Sequence, residues 1–217
     1  MGGDSMLIDG SIRDYIDKVA SKEPTPGGGS VAALAGSLGS ALTAMVGYLT
    51  IGRKMYEELG EEIKKEMDHN FEELKKSIEE LNKIVDEDTK AFDKVMEAFK
   101  LPKETEEEKK IRSEAIQEGY KVALAVPLRC AEECFRVLEL QKVFADHGNV
   151  NAITDVGVGA LLAATGLEGA LLNVKINLLG IKDEQYKAEM EEKVDKLLKE
   201  GTKLKEELLE TVYQRLG

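Results

Sequence analysis

The sequence predicts an all-α protein, a bundle of about six helices around two glycine- and alanine-rich central ones. Three observations carry this. Only four prolines interrupt 217 residues, so long stretches contain no helix breaker. Two segments, 31–52 and 150–181, carry almost no charge and hold much of the glycine: seven of the 20 glycines lie in 27–52 and six in 148–181. The segments around them are dense in Lys and Glu, with apolar residues stepping by three or four.

The elements follow in order. Ser11 with Asp14 three residues on is a variant of the capping box, and Ile12, Tyr15, Ile16 and Val19 make the apolar face of a first helix that ends before Pro24. Pro24-Thr25-Pro26-Gly27-Gly28-Gly29-Ser30 forbids regular structure and leads into the charge-free run from Val31 to Gly52. That run could span a bilayer by length, but its serines, threonines and glycines make it weakly apolar for that purpose. Ala32, Gly36, Gly39 or Ser40, Thr43 and Gly47 instead form a flat strip where another backbone can approach closely, as in a buried central helix.

From Glu57 to Lys100 the pattern predicts one long helix, curved or broken near its start, with Ile63, Met67, Phe71, Leu74, Ile78, Leu81 and Val85 along its seam. The next seam position is Asp88, after which Phe92, Val95 and Phe99 resume the apolar stepping. A carboxylate thus occupies the buried stripe. Leu101-Pro102-Lys103 closes this helix, and Thr105 with Glu108 opens the next, which runs toward Ala145 with a kink expected near Pro127. After a turn at His147-Gly148-Asn149, Val150 to Ile181 is the second central helix. Asp183 to Leu216 is the last, with Met190, Val194, Leu197, Leu204, Leu208 and Val212 on one face.

Composition bounds the function. With 42 acidic against 30 basic residues the formal charge is −12, which argues against a nucleic-acid partner, since phosphate recognition rests on local basic excess. One domain, 6–217, fits the length. Met1 to Ser5, ahead of a second methionine at Met6, read as the remnant of an added leader; no secretory pattern is visible, and a cytoplasmic protein is expected. Cys130 and Cys134, one helical turn apart, read as reduced packing residues. His69 and His147 are the only histidines and show no ligand spacing, so no metal site is expected.

Four features could carry chemistry. The glycines at 27–29 with Ser30 allow close backbone approach at a helix start, or simply form a flexible turn with a Ser N-cap. Asp88 is either a functional acid or the partner of Lys103, Arg112 or Arg129. Asp155, with Asn149, Asn151 and Thr154, makes a polar cluster at the mouth of a buried helix, or caps it. Arg53, Lys54 and Tyr56 follow the first central helix, while Asn173, Lys175 and Asn177 lie near the end of the second. Asp155 and Asn173 are five turns apart on one face, about 27 Å, too far to serve one small centre. Asn173 and Asn177 read best as interhelical packing contacts.

Pro24 to Ser30, Leu49-Thr50-x-Gly-Arg-Lys-x-Tyr56, Asp88-x-x-Ala-Phe92, Leu101-Pro102-Lys103 and Asn151-x-x-Thr-Asp155 together resemble the formiminotetrahydrofolate cyclodeaminase and methenyltetrahydrofolate cyclohydrolase family over nearly the whole chain. The resemblance implies an all-helical homodimer that acts on a one-carbon tetrahydrofolate without metal or nucleotide; no cofactor is expected, and neither nucleic acid nor membrane as partner. The reaction is either cyclisation of the 5-formimino form with ammonia release or hydrolysis of the 5,10-methenyl form. Asp155 and Asp88 would divide the acid and base roles. Gly28, Gly29, Ser30 and Asn151 would bind the substrate, and Arg53, Lys54, Lys103 or Arg112 would meet its glutamate carboxylates. Thr154 and Arg53-Lys54-Met55 depart from the family pattern of Ser and of a Lys-rich run. The competing reading is a non-catalytic helical dimer, a folate-binding or protein-interaction module.

Overall fold

The computed structural model describes residues 6–217, with the side chain of Phe92 outside the description; the seam position expected of Phe92 and the leader read at Met1 to Ser5 both lie outside the described residues. All regular structure among the described residues is helical. The six expected helices are present, joined by two short extra ones.

Helix α1 (Ile12–Val19) begins as its sequence requires: Ser11 Oγ accepts the Asp14 N–H at 3.1 Å and donates to the Asp14 carboxylate at 2.6 Å. Its apolar face, however, is not covered by the chain. Tyr15 is buried, but Ile12 is 82% and Ile16 57% exposed.

Helix α2 (Gly28–Thr50) starts three residues ahead of the charge-free run, and Gly27 before it supplies no side-chain cap. Ser30 is therefore not the N-cap that one reading allowed. It lies in the first turn, fully buried, and its hydroxyl donates to Val85 O at 2.8 Å. Tyr15 Oη lies 2.9 Å from Ser30 Oγ. With the serine proton given to Val85, the tyrosine is the donor in that pair.

Helix α3 (Lys54–Glu57) is one turn, and Glu58 to Gly60 separates it from α4 (Glu61–Phe99), the break expected near the start of the long charged segment. Met67, Leu74, Leu81 and Val85 are fully buried along the α4 seam. Helix α5 (Glu106–Leu140) carries both halves of its capping box, Glu108 N–H to Thr105 Oγ1 at 3.1 Å and Thr105 N–H to Glu108 Oε2 at 3.0 Å. Pro127 does not end this helix. The chain breaks instead at Gln141, before α6 (Lys142–His147), where the fully buried Gln141 Nε2 donates to Thr43 Oγ1 at 2.8 Å.

Helices α7 (Ile153–Leu178) and α8 (Glu184–Leu216) complete the bundle. Helices α2 and α7 run antiparallel at its centre, since Gly28 faces Asn173, Gly36 faces Gly166 and Gly39 faces Gly159. Both are long and apolar enough to cross a membrane, and 61% and 50% of these spans are buried within the fold. The Cys134 sulfur fills the crossing beside Gly36 and Gly166, and both cysteines are free and buried, the packing role the sequence suggested. Asn149 ties the far end together, its N–H donating to Thr50 Oγ1 at 2.9 Å and its Nδ2 to Leu49 O at 3.1 Å.

At the tightest point a Cβ on Gly39 would lie 2.7 Å from Gly159 O and 2.9 Å from Ala163 N. These are backbone atoms of a packed helix and cannot swing aside. Gly39→Ala is therefore expected to destabilise by about 1–3 kcal/mol despite the better helix propensity of alanine. That corresponds to a loss of about 3–10 °C in Tm for a domain of this size. A thermal melt followed by circular dichroism checks it; an unchanged Tm would mean that α2 and α7 are not in backbone contact.

Candidate functional site

A cleft of about 560 Å³ opens where the N-terminus of α2 meets α4, α5 and the C-terminal turns of α7. Gly27 and Gly28 form its floor. Asp88 enters from α4, and Asn173 and Asn177 from α7. The remaining wall is apolar, with Val95, Met96, Phe99 and Tyr120; the last two rings stand edge to face at 6.3 Å.

The two glycines at the start of α2 each make room for one of these side chains. A Cβ on Gly29 would overlap the Asp88 carboxylate, and a Cβ on Gly28 would meet Asn173 Nδ2 at 3.3 Å. The register is held from behind by the Tyr15–Ser30–Val85 chain of hydrogen bonds, because Val85 lies just under one turn before Asp88 on α4. Burial pushes the Asp88 carboxyl above its ordinary value, and the hydrogen bond from the Ser30 backbone N–H opposes this only in part.

No cation neutralises Asp88. Arg129, one sequence-level candidate, pairs with Glu80 at 3.0 Å and with Glu87. Arg112 donates from Nε and Nη2 to Phe99 O at 3.3 and 3.2 Å and lies over the Phe99 ring, which sets it at the rim. Lys103 is exposed beyond the end of α4. No ion pair to Asp88 occurs among the described residues. An uncompensated, protonatable carboxyl in a cleft is suited to proton transfer near neutral pH.

The structure divides the predicted residues into two groups. Asp88, Gly28, Gly29, Ser30 and Arg112 gather at or beside the cleft, with Lys103 following the same end of α4. Asp155, Asn151, Arg53 and Lys54 gather at the opposite end, where α2 finishes and α7 begins. Asp155 is partly exposed in the first turn of α7, and the Asn151 N–H bonds Asn149 Oδ1 at 3.0 Å. Because Asn173 shares the cleft with Asp88, the five helical turns that separate it from Asp155 separate the two aspartates by roughly 27 Å within one chain. Tyr56 is engaged elsewhere, donating to the Asp68 carboxylate at 2.8 Å.

Asn173 and Asn177 correct the sequence reading in part: Asn173 does pack across on Gly28 of α2, but the hydrogen bonds run differently. Their amides do not bond across to another helix. Asn173 Nδ2 donates to Gly169 O and Asn177 Nδ2 to Asn173 O, each at 2.9 Å within α7, and both side chains line the cleft. Their spacing of one turn in an otherwise apolar stretch was the available signal. Tyr120 and Met96 were missed because nothing local marks a side chain as cleft-lining.

The family described as formiminotransferase-cyclodeaminase matches residues 11–212. A methenyltetrahydrofolate cyclohydrolase of Methylorubrum extorquens is 41% identical over 95% of this chain and 98% of its own length. The formimidoyltransferase-cyclodeaminase of Rattus norvegicus is 36% identical over 92% of this chain, which spans only 36% of that longer protein. A crystal structure of formiminotetrahydrofolate cyclodeaminase from Thermotoga maritima superposes with a TM-score of 0.76 at 29% identity, covering 95% of each chain. With the match spanning nearly every helix described above, the chain belongs to the formiminotransferase-cyclodeaminase family.

Proposed function

We propose that this one-carbon folate enzyme hydrolyses 5,10-methenyltetrahydrofolate to 10-formyltetrahydrofolate, with Asp88 transferring the proton. The observation that carries the proposal is the unpaired Asp88 carboxyl beside the glycine floor of the cleft. Its ionised form accepts a proton from water as the water oxygen bonds the bridging carbon. The same proton then goes to N5 as the carbon–N5 bond breaks and the carbinol hydroxyl releases its own proton to water, leaving the neutral formyl group on N10. No cofactor enters the reaction. The hydrolytic direction draws on the Methylorubrum relative, which is matched over almost its full length. A second reading, cyclisation of 5-formiminotetrahydrofolate with loss of ammonia, is favoured by the Thermotoga structure. It uses the same carboxyl, which accepts the N10 proton and delivers it to the departing nitrogen.

Loss of the methenyl near-UV absorbance on mixing tests the first reading, and its appearance with ammonia release from the formimino form tests the second. Turnover of neither would leave a folate-binding module. The pH dependence follows from the site. As a base Asp88 must be ionised, so kcat/KM falls as pH drops through the pKa of the free enzyme, which burial holds above the ordinary carboxylate range. The positively charged N5–C–N10 bridge of bound substrate favours the ionised form, so the acidic limb of kcat lies at lower pH than that of kcat/KM. Coincident limbs would contradict contact between Asp88 and the bridge.

The working unit in this reading is a homodimer in the cytoplasm, with neither nucleic acid nor membrane as partner. Val31, Leu38, Met45, Tyr48 and Leu49 leave one uncharged stripe of α2 exposed, and Val158, Leu161, Leu172 and Ile176 are exposed apolar residues on α7, with Glu168 among them. The α2 stripe, residues 31–49, runs about 27 Å, most of the helix length. The open face of α1, with Ile12 and Ile16, adds to this apolar surface. Because the stripe is uncharged at both ends, it matches a second copy laid antiparallel across it. Such a copy would carry its own Asp155, Asn151, Arg53 and Lys54 toward the Asp88 cleft and supply the second carboxylate. Leu38→Asp is expected to convert a species of two 23.9 kDa chains into monomers with lost turnover; sedimentation equilibrium giving a monomeric wild type would contradict the dimer.

A further inference from the structure

We propose that Asn173 and Asn177 form the specificity-determining edge of the cleft, accepting hydrogen bonds from the N–H donors of the pteridine ring. The inference rests on the reading of Asp88 as the proton-transfer group, because it orients the substrate relative to that carboxyl. Each Nδ2 is already committed to a carbonyl of its own helix, Gly169 O for Asn173 and Asn173 O for Asn177. That commitment fixes the rotation of each amide: turning it over would set the amide oxygen against a carbonyl oxygen. Both Oδ1 atoms are therefore left as acceptors, without a hydrogen-bond partner among the described residues.

The two amides stand on one face of α7, one turn apart and about 6 Å along the axis. They line the cleft from α7, and Asp88 lines it from α4. The substrate ring carries several N–H donors, the 2-amino group and N3–H on its pyrimidine and N8–H on the reduced ring beside it, while its reacting carbon bridges N5 and N10 on the other side. A flat ring held in the cleft between α7 and α4, beside rather than on the Gly28 face that Asn173 covers, would present its donors to the amides and its bridge to Asp88 at once. Gly28 also holds the amide plane in place, since Asn173 packs directly on it.

Donor recognition by half-buried acceptors discriminates more strongly than apolar contact, because an analogue lacking the donor leaves the acceptor unpaired. The test compares 5,10-methenyltetrahydrofolate with its 2-desamino-2-methyl analogue. Wild-type enzyme is expected to prefer the natural substrate in kcat/KM by on the order of tenfold or more. In Asn173→Leu the KM for the natural substrate rises on the order of tenfold, kcat changes by less than about threefold, and the preference over the analogue collapses. Asn177→Ser provides a second variant with smaller packing change and the same expected direction. A purely structural role would lower Tm without altering discrimination between the two compounds, and that result, or an unchanged KM in both variants, would overturn the proposal. If Asp88→Asn is inactive while the asparagine variants discriminate as wild type, only this inference fails. If Asp88→Asn turns over normally, the reading beneath it fails instead.

Discussion

Asp88→Asn is expected to lower turnover of the methenyl substrate by on the order of 10²–10⁴-fold while leaving the fold intact and raising Tm at neutral pH. The loss follows from removing the group that accepts and returns the proton; the amide keeps the shape and can still accept from the Ser30 N–H. The stability gain has a definite sign. Burial raises the Asp88 pKa in the folded chain, so at acid pH the group is protonated in both states and contributes no penalty. As pH rises through the ordinary carboxyl value the unfolded chain releases its proton first, and stability is lost until the pH passes the folded value. Asparagine has no such loss. Melts at about pH 4 and about pH 7.5 should therefore show a difference between variant and wild type that opens with pH, around the ordinary carboxyl range of about 4. Full activity, or a variant less stable at neutral pH, would contradict the role of Asp88.

Gly29→Ala should act through the same carboxylate from the opposite side. Its Cβ would occupy the space of the Asp88 carboxylate. Unlike the backbone atoms that crowd Gly39, this neighbour is the far end of a side chain and can turn away. The expected result is an enzyme that folds as well as wild type, gaining up to about 1 kcal/mol from replacing glycine inside a helix. Its kcat falls on the order of 100-fold because the carboxyl has left its productive position. Paired with Gly39→Ala, which loses stability, the comparison separates the glycines that receive a functional group from those that admit a neighbouring helix. A Gly29→Ala enzyme with wild-type kcat would show that the close approach of Asp88 to α2 is not needed for turnover.

Much of this arrangement was legible in the chain because the signals are local. Ser11 with Asp14 and Thr105 with Glu108 are caps satisfied within four residues, and structure and sequence agree on both. Asp88 was visible as a charge interrupting a seam of period three to four, and the two glycine-rich helices were visible by composition. The rest depended on neighbours distant in sequence. Ser30 looked like an N-cap until Val85 and Tyr15, 55 and 15 residues away, claimed its hydroxyl. The break at Gln141, whose side chain reaches Thr43 98 residues away, carried no local signal. The amphipathic pattern of α1 correctly marked an apolar face but could not say that the chain itself leaves Ile12 and Ile16 uncovered. Likewise, spacing placed Asp155 far from Asn173, but only the antiparallel packing of α2 on α7 put Asn173 beside Asp88 and hence Asp155 at the other end.

A crystal structure of the protein soaked with 5-formyltetrahydrofolate, a stable relative of the reacting forms, would locate the reaction directly. The account predicts the pteridine lying in the cleft between Asn173 and Asp88 with its one-carbon group within hydrogen-bond reach of the Asp88 carboxyl, roughly 3 Å or one water away. Density for the ring beyond reach of Asp88, for instance among Asn151, Asp155 and Arg53 of a chain whose own cleft and neighbouring copies leave residue 88 untouched, would contradict it.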